Sequence, residues 1–472
     1  MKDIIIIGGG VVGCSIGREL AKYDLDISLL EKNSDVAEGI SKANSGIVHA
    51  GYNEKLGTLK GKFNIEGNKM FDKLAKDLDF SFKRNGALVL AFNREEVRVL
   101  EELKSNGEKL GVDGLEILSL EEVKSLEKNV GDKVCKALYV KNSGIVNPYE
   151  MTVAMAENAC ENGVHFKFEA EVIDIKKMEG YYKVVLKDGE EIEAKLVINA
   201  AGINSDKINN LINEKKYTHE LIKGEYCLLD KVSGGLIHKT IFRTPSKMGK
   251  GILVTKTVDG NLLIGPTAKK VYNEGLENTK NTLDEIMEKA NESVANINRA
   301  KILTTFAGLR PHLEKGDFVI DEEDSFISLV GIESPGLTAA PAIAKYVKDI
   351  VSRKIELKKK KDFIQTRKGI IKFAGLSIEE KNKLIKEKQS YGKIICKCEL
   401  ITEGEIVDAI NRPLGAKTVD GVKRRTRATM GGCQGTGCLL PISKIISREL
   451  GIPITEVNKN SKCSNVIGFK EA

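Results

Sequence analysis

Four cysteines near one end of the chain are spaced for shared chemistry. Cys396 and Cys398 form a C-x-C pair, and Cys433 and Cys438 form a C-x4-C pair. Thiolates bind zinc and iron–sulfur clusters, and the two pairs meet once the intervening chain folds back. Gly431, Gly432, Gly435 and Gly437 surround the second pair. Such glycines let backbone N–H groups approach cluster sulfurs, which tunes potential. Lys397, Arg424, Arg425 and Arg427 stand ready to offset thiolate charge. A tetrathiolate set also suits structural zinc, which more commonly uses C-x2-C spacing. Cys14, Cys135, Cys160, Cys227 and Cys463 are scattered and read as small buried hydrophobes.

The other end carries a phosphate-binding pattern. Gly8, Gly10 and Gly13 make G-x-G-x-x-G directly after a run of four isoleucines, residues 4–7. That run suits a strand buried on both faces of a parallel sheet. A helix pattern follows over residues 12–23, then a strand over 27–30 that ends on Glu31. Gly8 permits the tight turn, Gly10 lets the backbone approach a pyrophosphate, and Gly13 lets helix and strand pack closely. The helix N-terminus offers N–H groups to phosphate, and Glu31 is placed to accept from a ribose.

Composition narrows the function classes. The 472 residues allow two to four domains. Net charge is +7, but 74 basic residues face 67 acidic ones, so most charge is interspersed surface. With no Trp and 5% aromatics, a stacking surface for nucleic acid is not expected. Met1, Lys2 and Asp3 lead straight into the first strand, leaving no room for a signal peptide, and no apolar run is long enough for a membrane span. Nine cysteines without an export signal fit a reducing, cytoplasmic setting.

The segment after Glu31 and Lys32 reads Ser41-Lys42-Ala43-Asn44-Ser45-Gly46-Ile47-Val48-His49-Ala50-Gly51. It resembles the D-amino-acid-oxidase-like flavoprotein superfamily, within it the branch of FAD-dependent glycerol-3-phosphate and L-2-hydroxyglutarate dehydrogenases. The likeness recurs at Val172, at residues 197–202 ending in Ala201 and Gly202, at Gly308-Leu309-Arg310-Pro311, and at Ser334-Pro335-Gly336-Leu337-Thr338. The resemblance implies FAD as coenzyme. It places Gly8, Gly10, Val12, Gly13, Glu31, Lys32, Ser41, Asn44, Ser45, Gly46, Val172, Ala201, Gly202, Gly308, Gly336, Leu337 and Thr338 around it. The helix opening at Gly336 would stabilise negative charge on the reduced flavin. Residues 396–438, with the approach Thr426-Arg427-Ala428-Thr429-Met430-Gly431, are similar to the bacterioferritin-associated-ferredoxin-like [2Fe–2S] domain. That context favours a cluster over zinc at Cys396, Cys398, Cys433 and Cys438.

The resemblance implies oxidation of sn-glycerol 3-phosphate to dihydroxyacetone phosphate. Electrons then leave through the cluster to an acceptor protein or quinone-linked subunit. L-2-hydroxyglutarate, another 2-hydroxy acid, or an amine or imino acid are the alternative substrates within the superfamily. A scaffold without its own substrate runs against the complete set of flavin motifs. Alcohol oxidation needs a base, and His49 and His312 are the candidates by motif position; the competing role for each is hydrogen-bonded packing. Arg310 is the expected anion clamp, with Lys256 and Arg243 as weaker substrate contacts.

The expected architecture is α/β: a Rossmann-like FAD-binding domain, an antiparallel-sheet substrate domain, and a small mainly helical C-terminal cysteine-cluster domain. FAD-binding pieces are expected at 1–80, 145–215 and 325–353, and substrate-domain pieces at 81–144 and 216–324. Strands of the latter are expected at 86–91, 225–229, 251–256 and 261–264. A linker is expected at 354–388, where Lys-rich sequence lacks core periodicity, and the [2Fe–2S]-binding domain at 389–472.

Overall fold

A computed structural model describes residues 1–245 and 251–468. Strand β1 (Lys2–Ile7) runs fully buried over its isoleucines into helix α1 (Val11–Leu20), and β2 (Ile27–Leu30) returns parallel beside it. The strand Glu191–Asn199 flanks β1 on its other side, also parallel, and Phe326–Val330 continues the parallel run. A short antiparallel meander, Val172–Lys177 and Tyr182–Leu186, completes that edge. Helices on both sides explain why these strands read as unbroken apolar runs rather than alternating ones. The core under α1 joins Ile4, Ile6, Ile16, Leu29, Ala156 and Ile343.

A second, nine-stranded sheet forms the other lobe. Its longest members are β3 (Glu220–Leu229) and β4 (Ile302–His312), paired antiparallel along their length. Leu262–Gly265, Leu253–Lys256, Thr240–Arg243, Ala87–Ala91, Lys136–Val140 and Leu115–Ser119 follow from the other edge of β3. The sheet is antiparallel as expected, with one exception. Ala87–Ala91 and Thr240–Arg243 pair parallel because they belong to separate passes of the chain, not to a hairpin. Helix Lys280–Ser293 covers one face through Ile286, Met287 and Ala290.

Two expected boundaries are corrected. Strand Val319–Glu323, expected in the substrate domain, pairs with Phe326–Val330 in the first sheet, since a tight turn at Asp324 folds the two together. Residues 354–388 are not a loose linker. Their first part is a strap on the first lobe: Asn158 donates to the Ile364 carbonyl at 2.9 Å, and Arg367 reaches the buried Glu157 at 2.6 Å. Their last part is a helix, Ile378–Glu387, started by a Ser377/Glu380 capping box. Polar side chains of the lobe hold the strap's backbone, so no apolar periodicity announces it.

After helix α2 (Gly336–Val351), the C-terminal module is mainly helical, built from Glu403–Ile410, α3 (Val419–Thr426) and Leu439–Leu450 around Ile406, Val422, Ile442 and Ile446. Its expected extent includes 469–472, which lie outside the described residues. Helix α2 packs beside α1 and carries Ile343 and Val347 into the first core. Among the described residues no helix is long and apolar enough to cross a membrane.

Candidate active site and cysteine centre

One cleft of about 2530 Å³ lies between the two lobes and reaches the C-terminal module. At its floor is the glycine turn. Gly8 has φ +111°, and a Cβ there would stand 2.4 Å from the Ala200 carbonyl oxygen. A Cβ on Gly13 would fall 2.0 Å from the Gly8 oxygen, so Gly13 holds helix against turn and does not line the cleft. Gly10 and Val12 do line it. The Val11 N–H donates to Ser41 Oγ at 2.9 Å, tying the start of α1 to the loop that follows.

Glu31 ends β2 on the cleft wall, beside Lys32. Its carboxylate accepts from Gly9 N–H at 2.7 Å and from Asn33 N–H at 2.8 Å. Burial pushes its pKa above the usual carboxylate range, against the pull of those two donors. Asn44 shapes the next loop, accepting from Gly46 N–H at 2.8 Å. That loop lies against β4 because Gly308 leaves room: a Cβ would be 2.2 Å from the Ala43 oxygen. Ser45, Gly46, Val172, Ala201, Gly202, Gly308, Gly336 and Leu337 all border the cleft. Thr338 does not; it is fully buried, accepts the His49 N–H at 3.0 Å, and thereby pins the histidine loop to the start of α2.

Arg310 and His312 sit two residues apart on β4, so both project from one face of the strand. The Arg310 guanidinium donates to the Thr267 carbonyl at 3.3 Å through both terminal nitrogens. Gly224, near it on β3, makes space for this group: a Cβ would stand 2.7 Å from Arg310 Nη2. His312 Nδ1 meets Glu333 Oε1 at 2.9 Å, and Lys60 pairs with the same oxygen at 2.7 Å. His49 also borders the cleft, its ring 6.1 Å from that of Phe242.

Lys256 is a correction: it does not border the cleft. Side chains alternate along strand Leu253–Lys256, where Leu253 faces the cleft while Val254 enters the opposite core. Lys256 shares Val254's side. Arg243 reaches the rim, but it is paired with Glu292 and lies 4.4 Å over the Phe92 ring. Residues that sequence reasoning missed include Lys60, Glu333 and the stacked pair Tyr226–Phe306, 4.7 Å apart. Nothing local singles them out; they come together only when β3, β4, the helix Leu59–Asn68 and the turn at Glu333 meet.

The four cysteines come together as two pairs. Cys396 faces Cys438, and Cys398 faces Cys433. Among the described residues no three such side chains gather tightly enough for a single metal ion. Backbone N–H groups of Gly437 and Gly435 pull the Cys433 thiol below its usual range. Burial, and then the neighbouring Cys396, push Cys438 up to about 12. Cys396 and Cys438 are buried, whereas Cys398 and Cys433 are exposed. Two thiol pairs with backbone donors fit the four-thiolate demand of a two-iron cluster. The glycine turn, with space only for bare backbone, fits a dinucleotide. Met430 and Gln434, either side of Cys433, border the coenzyme cleft, and Tyr149 there donates to Met430 Sδ at 3.6 Å.

Residues 3–350 match the FAD dependent oxidoreductase family, and residues 394–448 match the BFD-like [2Fe-2S] binding domain. A Glycerol 3-phosphate dehydrogenase of Caloramator mitchellensis is 48% identical, covering 99% of this chain and 98% of its own. A Glycerol 3-phosphate oxidase of Mycoplasma pneumoniae is 31% identical over 76% of this chain and 96% of its own. The solved, FAD-bound L-alpha-Glycerophosphate Oxidase from that organism superposes with a TM-score of 0.74 at 31% identity, covering 77% of this chain and 98% of its own. A glycerol-3-phosphate dehydrogenase from Bacillus halodurans shares the fold, with a TM-score of 0.70 at 18% identity over 96% of this chain and 91% of its own. With FAD as coenzyme and a [2Fe–2S] module at its C-terminal end, the chain belongs to the FAD dependent oxidoreductase family and is a homologue of glycerol 3-phosphate dehydrogenase along its whole length.

Proposed function

We propose that the protein oxidises sn-glycerol 3-phosphate to dihydroxyacetone phosphate and passes the electrons through its cysteine centre to an acceptor protein or quinone-linked subunit, in the cytoplasm. The observation that carries this reading is Arg310 and His312 on one face of β4, in the same cleft as the glycine turn.

Arg310 grips the substrate phosphate, since a guanidinium matches phosphate geometry bidentately. His312, held at Nδ1 by Glu333, stands beside that grip two residues along β4. His49 takes the C2 hydroxyl proton; its backbone tie to Thr338 fixes its loop at the start of α2. FAD, when bound, supplies the acceptor for the C2 hydride, and a [2Fe–2S] cluster supplies one-electron carriage. Cys396, Cys398, Cys433 and Cys438 would hold that cluster, and Gly8, Gly10, Ser41 and the N-terminus of α1 would hold the coenzyme's diphosphate.

Anaerobic titration with flavin absorbance as readout tests the substrate. Bleaching by sn-glycerol 3-phosphate at stoichiometric levels is expected, with no response to L-2-hydroxyglutarate or proline. Bleaching by either of those, and none by the phosphate ester, overturns the assignment.

A further inference from the structure

The coenzyme cleft does not end at the first lobe. Helix α3 of the C-terminal module brings Asp420, Lys423 and Arg424 to its wall, opposite Glu31, Glu38 and Lys42. Lys42 directly follows Ser41, whose hydroxyl is bonded to the first N–H of α1, the anion-binding end of that helix. Lys42 and Lys423 border the same stretch of cleft, with the Arg424 guanidinium between Glu38 and Asp35 beside them. Both lysines are largely buried, and burial pushes both below the usual lysine range.

The carboxylates nearby also hold other cations. Asp35 is paired with Arg424 and Arg425, Glu38 with Arg424, and Asp420 with Lys459. Two part-buried lysines therefore border one cleft beside a helix N-terminus. Positive charge added beside the N–H groups of a helix start suits an anionic ligand.

We propose that the iron–sulfur module is part of the coenzyme site, with Lys423 donating a charge-assisted hydrogen bond to the diphosphate of FAD across the module boundary. The proposal rests on FAD occupying this cleft and is independent of which substrate the enzyme oxidises. The two buried arginine pairs at Asp35 hold α3 in the required place, so coenzyme binding and docking of the cluster module support each other.

The test is the dissociation constant for FAD in the full-length protein, read from flavin fluorescence on dilution, with ADP as a competing probe. K423A is expected to weaken both FAD and ADP about tenfold, the size of one charged hydrogen bond. K423R is expected to keep most of the affinity, and added salt to narrow the gap between K423A and wild type. Visible absorbance of the cysteine centre checks that the module remains folded; if K423A loses it, Lys423→Gln provides the same reading. Unchanged FAD and ADP affinity overturns the proposal. Saturable binding of inorganic phosphate to the FAD-loaded protein, lost in K423A, also overturns it, because the lysine then serves a separate anion. A failure of glycerol 3-phosphate to bleach the flavin leaves this binding result standing, so the two readings fail separately.

Discussion

The coenzyme cleft and the cysteine centre do opposite things with their glycines and side chains. At the cleft floor the chain fits a ligand by leaving side chains out: Gly8 and Gly13 each sit where a Cβ would overlap backbone oxygen. At the cysteine centre the ligand is held by side chains put in, and glycines such as Gly437 and Gly435 serve by aiming N–H groups at sulfur. The first site is rigid because strand, turn and helix are packed on one another. The second is a loop with one thiol pair buried and the other exposed. A site made from backbone shape is damaged by adding atoms, and a site made from donors is damaged by removing them.

The largest expected effect separates the two directly. Cys433→Ser should abolish the cluster, seen as lost iron and lost electron paramagnetic resonance signal in the reduced protein. Substrate should still bleach the flavin in a single turnover. Loss of flavin together with the cluster would show that the module keeps its place at the coenzyme only while the cluster is bound. The reciprocal change is Gly13→Ala. Its Cβ would overlap the Gly8 oxygen, at a cost on the order of 3 kcal/mol in stability, and the turn that shifts to relieve the overlap should lose most of its FAD affinity. FAD affinity within a factor of two of wild type would remove the backbone-shape account.

Arg310→Ala comes next. Losing a charged, bidentate hydrogen bond should raise KM for glycerol 3-phosphate by about 10- to 100-fold. FAD content should stay normal, because Gly308 rather than Arg310 contacts the coenzyme loop. An unchanged KM would reassign the anion to other groups in the cleft.

The smallest effect concerns the seam joining the two regions. Arg425 and then Arg424 hold the buried Asp35 carboxylate down to about 2, despite the opposing effect of burial. A depressed carboxylate stabilises the fold above its unfolded pKa, and that stability is lost as pH falls through the folded value. The window is therefore about pH 4 to 2, and the contribution is on the order of 2 kcal/mol. Asp35→Asn should flatten the stability–pH curve across that window, as measured by urea unfolding. A curve parallel to wild type would exclude the seam as its source.

Local pattern carried much of this molecule. The isoleucine run, the glycine spacing and the acid at Glu31 are consecutive in sequence because turn, helix and strand are consecutive in space. The cysteine spacing was legible for the same reason, each pair being one short loop. Histidine and arginine motifs pointed to His49, Arg310 and His312, which border the cleft, whereas Lys256, the weaker candidate, does not. Its side was decided by strand alternation, which becomes visible only once Val254 is known to enter the core.

By itself, then, the amino-acid order determined the α/β class, the dinucleotide turn and the four-thiol set, all written in contacts between near neighbours. Only the tertiary structure decided the strap over residues 354–367, the link of Lys60 and Glu333 to His312, and the arrival of Lys423 opposite Lys42. Those contacts join residues as far as 381 positions apart, since the chain packs in three dimensions and its local periodicity reports only which face is buried.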